Sequence, residues 1–262
     1  MSDQCGQDRR EVLRTVAGVT LGAGIAATVA AGPAAAAERE RPGESGRKRV
    51  EVAVLLFDGF TALDAVGPYE ALCRVPGVRV TTVAVRAGLV RTDTGELGIA
   101  AEKSLHQVTR PDVLVVPGGG ERGTTATMAD TRILDWIRRV HRRTDWTASV
   151  CTGSLILGAA GLLRGLPATT YWASRPYLKD VGAIYTPGRF VEAGKIITAA
   201  GVSAGIDMGL HLAARLSDEK VGRAMELALE YDPVPPFGTG NSDTADGETR
   251  ALALRLLADS AV

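Results

Sequence analysis

TASVCTGSLILGAAGLL, residues Thr147–Leu163, decides the fold of this 262-residue chain. A short apolar strand runs into Cys151, and a helix rich in glycine and alanine follows at once. A side chain on so sharp a strand-to-helix turn projects above the end of a sheet. The N–H groups that open the helix face the same spot and can hold negative charge. The helix dipole there favours thiolate over thiol, and the thiolate is the nucleophile. The same strand–turn–helix arrangement forms the serine elbow of hydrolases. A structural cysteine is the alternative, since unpaired cysteine is among the most buried residue types. Thr152, Gly153 and Ser154 argue for chemistry, being small and polar where a core position is bulky.

The segments on either side alternate between strand and helix. VEVAVLLF (Val50–Phe57) is the near-continuous apolar run of a parallel sheet, and Asp58–Cys73 is a turn entering a helix. Arg79–Val85 reads as a strand, Gly88–Glu102 as a pair of short strands, and DVLVVPGGG (Asp112–Gly120) as a strand entering a glycine loop. Thr131–Thr144 has helical period, with Ile133, Leu134, Ile137 and Val140 on one face. Beyond the elbow come a short strand and helix around Ala168–Trp172 and a hairpin over Arg189–Gly201 turning at Ala193–Gly194. Gly201–Leu216 is a helix with a serine N-cap, Asp218–Tyr231 another, and Thr249–Ala261 a closing one after a polar loop. This order predicts a doubly wound α/β sandwich forming one domain over residues 50–262. Ligands gather at the carboxyl ends of strands in such folds, and Asp64, Gly118–Gly120 and Cys151 all follow strands.

The bulk numbers narrow the function classes. Thirty basic and thirty acidic residues cancel, which removes the electrostatic case for nucleic acid or an anionic membrane surface. Three cysteines without CxxC or Cys/His clustering give no structural zinc site. Arg9 and Arg10 precede an uncharged Ala/Gly-rich stretch from Thr15 to Ala37 that ends in a run of alanines. Residues 1–37 therefore read as a twin-arginine secretory signal, and 38–49 as a flexible leader. An uncleaved anchor is the alternative, and scarcity of Leu, Ile, Val and Phe argues against it. The expected location is periplasmic or extracellular, with no stable membrane association after cleavage. A Cys73–Cys151 disulfide is not expected, because Cys73 lies about 13 Å along a helix from Asp64. Cys73 is expected to be a buried helix residue.

Attack by Cys151 needs an activator, a proton donor and charge stabilisation. The Pro-Gly-Gly-Gly turn offers backbone N–H donors from Gly119 or Gly120 beside the Thr152 N–H, with Gly118 leading into the loop. As a phosphate cradle it is weak, lacking GxGxxG or a following GKS/T. Asp64 sits near a helix start, where a carboxylate is favoured locally whether or not it is catalytic. Thr152 either donates a hydrogen bond or merely begins the helix. Asp207 either supports the elbow or caps its helix. His106, His141 and His211 read as structural or solvated, so no Cys–His triad is legible.

FDGFTALDAVGPYEAL, DVLVVPGG, SVCTGSLILGAAGLL, ATTYWA, GVSAGID and LEYDPVPPF together resemble the isonitrile hydratases, a family of the ThiJ/PfpI group in the class I glutamine-amidotransferase-like superfamily. The resemblance runs from about Val50 to Asp246. It implies a flavodoxin-like α/β domain, a homodimer, a small-molecule substrate and no metal or organic cofactor. It also implies hydration of an isonitrile to an N-substituted formamide, with Cys151 as nucleophile, Asp64 as proton shuttle and Thr152 beside them. Relatives often carry histidine where this chain has Tyr171, which places that residue at the pocket. Some relatives are regulators with a further DNA-binding domain, for which too few residues follow Phe237. The alternatives are another cysteine-dependent enzyme of the superfamily (amidase, glyoxalase-like hydratase or peptidase) and a cysteine redox sensor. Thr152 stands where the related peptidases carry histidine, which counts against the peptidase.

Overall fold

The computed structural model describes residues 49–261. The predicted signal and nearly all of the predicted leader lie outside them. Seven strands form the main sheet: β1 (Val50–Leu55), β2 (Val78–Ala84), β5 (Lys103–Ser104), β6 (Val113–Val116), β7 (Trp146–Val150), β10 (Phe190–Ala193) and β11 (Ile196–Ala199). Their order is β10-β11-β7-β6-β1-β2-β5, parallel throughout except for the β10–β11 pair. The central strands are apolar on both faces because both faces are covered; all four residues of β6 are buried. Strands β3 (Gly88–Arg91) and β4 (Gly98–Ala101) make a separate antiparallel pair, and β8 (Pro167–Ala168) and β9 (Ile184–Tyr185) a short parallel one.

Helix α1 (Ala62–Leu72) packs on α5 (Ala204–Leu216), which packs on α6 (Glu219–Ala228). The other group comprises α2 (Glu121–Ala129), α3 (Thr131–His141) and α4 (Gly153–Ala159), followed by a 3₁₀ helix over Trp172–Val181. The α1–α5 contact depends on Gly209: a Cβ there would lie 2.8 Å from the Ala71 Cβ. Helix α7 (Gly247–Ser260) buries none of its residues, leaving Leu252, Leu254, Leu256 and Leu257 exposed. No described helix is long and apolar enough to cross a membrane.

This is the predicted flavodoxin-like α/β sandwich. From β1 the chain builds toward β2 on one side and toward β6, β7 and β11 on the other. The switch point therefore falls between β1 and β6, where α/β folds open a crevice. Helix α2 escaped the sequence reading, since its buried residues are Gly123, Thr124 and Thr127 rather than an apolar stripe. Cys73 is also corrected: it is the half-buried C-cap of α1, with the Arg74 guanidinium 3.3 Å from its sulfur. No disulfide joins it to Cys151.

Candidate active site

The backbone of Cys151 has φ +88°, a left-handed conformation that costs a non-glycine residue on the order of 1–3 kcal/mol. Its surroundings enforce it. The Cys151 N–H donates to Ala199 O at 3.1 Å, continuing the β7–β11 pairing. Its carbonyl accepts from the Thr170 hydroxyl at 2.8 Å and the Ser154 hydroxyl at 3.0 Å. Gly153 lets the turn sit against the neighbouring strand end: a Cβ there would be 2.3 Å from Val116 O. Cys151 is buried, and the Thr152 and Val202 N–H groups act on its sulfur to favour the charged form.

Asp64, in the first turn of α1, is fully buried beside that sulfur. Its Oδ2 accepts from the Gly118 N–H at 2.9 Å. The Cys151 thiol interacts with the carboxyl, and Asp64 Oδ1 is buried without a hydrogen-bond partner. Burial pushes the Asp64 pKa up to about 7, and the charge of Asp93 adds to the rise. The Gly118 N–H and the thiol contact oppose it. Burial, and then the charge of Asp64, push the Cys151 thiol well above its ordinary range, against the pull of the two N–H donors. Two acids here share room for one negative charge, so their titrations are coupled. This corrects the expectation of a thiolate favoured by the helix dipole. Helix α4 has only seven residues, and desolvation together with the Asp64 charge outweighs its terminus.

The glycine loop acts differently from the expectation. Gly119 donates its N–H to Thr152 Oγ1 at 2.9 Å, and Gly120 donates to Gly59 O at 3.1 Å. Neither faces a reacting atom, and Gly118 serves Asp64 instead. The Thr152 side chain is occupied by Gly119 and by the Thr124 hydroxyl at 2.8 Å, which makes it a brace between loop and elbow. A Cβ on Gly118 would meet Thr152 Oγ1 at 2.6 Å and Asp64 Oδ2 at 2.9 Å, so loop, acid and elbow fit as one piece.

Tyr171 stands on the other flank, half-buried and near enough to Cys151 for their charges to interact. Its ring tilts against Trp172 at 5.5 Å between centroids. Asp207 makes no direct hydrogen bond to the elbow: it pairs with Arg189 and accepts from the Tyr231 hydroxyl at 3.2 Å. His141 bonds Thr147 and His211 bonds Glu192, while His106 is exposed. A cleft of about 440 Å³ lined by Arg49, Glu51, Arg110, Asp112 and Arg143 contains no nucleophile. No group of three or more His, Cys, Asp or Glu residues suited to a metal occurs among the described residues.

Sequence reasoning missed Val202, Thr170 and Thr124. A main-chain donor such as the Val202 N–H leaves no trace in residue type. Thr170 was visible in the motif around Tyr171, as a hydroxyl just before the pocket aromatic.

Comparison with known proteins finds relatives over most of the chain. A model of the DJ-1/PfpI family matches residues 50–215. The chain is 40% identical to the isonitrile hydratase of Pseudomonas putida over 196 residues, 75% of this chain and 85% of that enzyme. It is 30% identical over 169 residues to the HTH-type transcriptional regulator CdhR of Pseudomonas aeruginosa, covering 62% of this chain and 49% of the regulator. The crystal structure of a ThiJ/PfpI family protein from Pseudomonas syringae superposes with a TM-score of 0.76 at 35% identity, over 86% of this chain and 94% of that one. Drosophila melanogaster DJ-1beta shares the fold, with a TM-score of 0.64 at 23% identity over 70% of this chain and 98% of that one.

Proposed function

This chain belongs to the DJ-1/PfpI family, and from that premise we propose that it hydrates isonitriles to N-substituted formamides. The observation that carries the reading is the buried Asp64 carboxyl set against the Cys151 sulfur on a strained elbow, in a chain similar to an isonitrile hydratase.

The chemistry follows from the pair. Asp64 takes the thiol proton, and the Cys151 thiolate adds to the terminal carbon of the isonitrile. Asp64 returns the proton to that carbon, giving a thioimidate with a carbon–nitrogen double bond. A carboxyl pKa of about 7 suits both steps near neutral pH. Asp64, again a carboxylate, orients a water and takes its proton as the oxygen attacks the thioimidate carbon. Asp64 passes that proton to the nitrogen, then takes the hydroxyl proton as the adduct collapses to release the formamide and the thiolate, which Asp64 reprotonates to restore the resting thiol. The Thr152 and Val202 N–H groups hold the departing negative sulfur. One water is added and nothing is oxidised or reduced. Tyr171 and Trp172 flank the substituent on nitrogen.

The test is formamide production from a simple alkyl isonitrile by the purified protein, with Cys151→Ala and Asp64→Ala in parallel. Turnover by the wild type alone supports the reading. A folded wild type that leaves isonitriles untouched but consumes methylglyoxal replaces it with the glyoxalase-like alternative. Two further proposals accompany this reading: export with cleavage near Glu38, read by N-terminal sequencing of secreted protein, and a homodimer, read by light scattering.

A further inference from the structure

Val202 lies in the connection between β11 and α5, which leaves the sheet beside the elbow where the Cys151 N–H donates to Ala199 O at 3.1 Å, and its N–H acts on the Cys151 sulfur to favour the charged form. What fixes this connection is not the usual cap. Ser203 is the N-cap of α5, yet its hydroxyl makes no capping bond. It accepts instead from the Arg189 guanidinium at 3.3 Å. The same guanidinium pairs with Asp207 in the first turn of α5, its Nε at 3.0 Å from Oδ2. The carbonyl of Arg189 accepts from the Ala200 N–H at 2.9 Å. Arg189 therefore grips the chain at positions 200, 203 and 207, and Val202 sits between the grips. On the far side of Asp207 the Tyr231 hydroxyl donates to Oδ1, tying in the segment that follows α6. This accounts for two sequence motifs that the reaction leaves unused, the aspartate of GVSAGID and the tyrosine of LEYDPVPPF.

We infer that Arg189, Asp207 and Tyr231 form a clamp that holds the Val202 N–H on the Cys151 sulfur, with Arg189 a positioning residue for the nucleophile. The inference deepens the proposed function, because a fixed donor helps when the sulfur carries charge, before attack and on release. No clamp residue touches the reacting atoms. The groups that act on the sulfur are Asp64 from α1 and the Thr152 and Val202 N–H groups, and Tyr171, from the segment before the 3₁₀ helix, is coupled to it by charge alone.

The test separates positioning from charge. In the full chain, the rate of Cys151 alkylation by iodoacetamide is followed against pH, with the Cys151 peptide resolved by mass spectrometry. Arg189→Met removes a cation and Asp207→Asn an anion. Charge alone moves the thiol midpoint up in the first and down in the second. Positioning moves both upward, and slows alkylation at pH 8 by about five- to tenfold, part of one charge-assisted hydrogen bond. Arg189→Lys is expected to restore part of the loss, and Tyr231→Phe to give a shift of about twofold in the same direction. If Arg189→Met does not fold, Arg189→Gln replaces it. Opposite shifts, or midpoints unmoved in folded variants, overturn the clamp. Alkylation needs no isonitrile, so shifted profiles without formamide production would sink the hydratase reading and leave the clamp standing.

Discussion

Thr147, near the amino end of β7, and Cys151, just past its carboxyl end, have surroundings that are organised differently. At the amino end the Thr147 hydroxyl bonds His141 Nδ1 at 2.8 Å and the Thr144 hydroxyl at 2.9 Å. Lys195 Nζ closes the cluster by donating to Thr144 O at 2.9 Å. At the carboxyl end a buried carboxylate oxygen has no partner and a cysteine holds a left-handed backbone. The first arrangement spends its polar groups on each other. The second holds polar groups in reserve, and reserve of that kind is what catalysis draws on.

The largest effect is expected at the carboxyl end. Cys151→Ala should cut formamide production by on the order of a thousandfold or more, as loss of a nucleophile does. Thr147→Val, at the other end, should leave turnover within about twofold while lowering stability by about 1–2 kcal/mol. A Thr147→Val enzyme as dead as Cys151→Ala would erase the contrast.

Asp64→Asn should lose about 10²–10⁴ in turnover, as befits a proton-transfer group. Its stability should move the other way. The folded pKa of about 7 lies above the ordinary 3.8, so between these values the native state holds more protons than the unfolded one. Stability from this group is fully present below the lower value and is lost as pH rises through the upper one. Asp64→Asn should therefore be the more stable protein at pH 8, by on the order of 2–4 kcal/mol, with little advantage at pH 4. Thermal melts at both pH values check this, and equal offsets would show that the carboxyl is ordinary.

Gly153→Ala drives a methyl into Val116 O and should cost about 2–4 kcal/mol, read by urea unfolding. An unchanged midpoint would mean that the elbow is not wedged as described.

The smallest effect sharpens the contrast in sign. Burial, and then the charge of Lys195, hold the His141 pKa below its ordinary value. The unfolded state therefore takes up more protons near pH 6, and stability falls on acidification. His141→Gln should flatten that acid-side fall, opposite in direction to the Asp64 dependence. A melt-versus-pH curve unchanged by the substitution would remove His141 from the account.

Much of this was legible in the sequence. The apolar runs of β1, β6 and β7 and the small residues after Cys151 announce a parallel sheet with an elbow, since buried strands and tight turns both constrain residue type. Cys151 was found because it follows a strand at a sharp turn, whereas Asp64, which also follows a strand, was singled out by the family resemblance of the motif around it. What stayed hidden was direction. Nothing in Gly119 or Gly120 says that its N–H turns inward to Thr152 or Gly59. Nothing in Val202 says that its N–H turns toward sulfur. Helix α2 stayed hidden because threonine and glycine, not leucine, form its buried side.

The near-contact of Gly153 with Val116 O and of Gly118 with Thr152 has a consequence for selectivity. Elbow, acid and glycine loop behave as a casting with no slack, so this side cannot widen to admit a bulkier guest. If isonitriles bind as proposed, retuning of guest size falls to Tyr171 and Trp172, which lean on each other and are only partly enclosed.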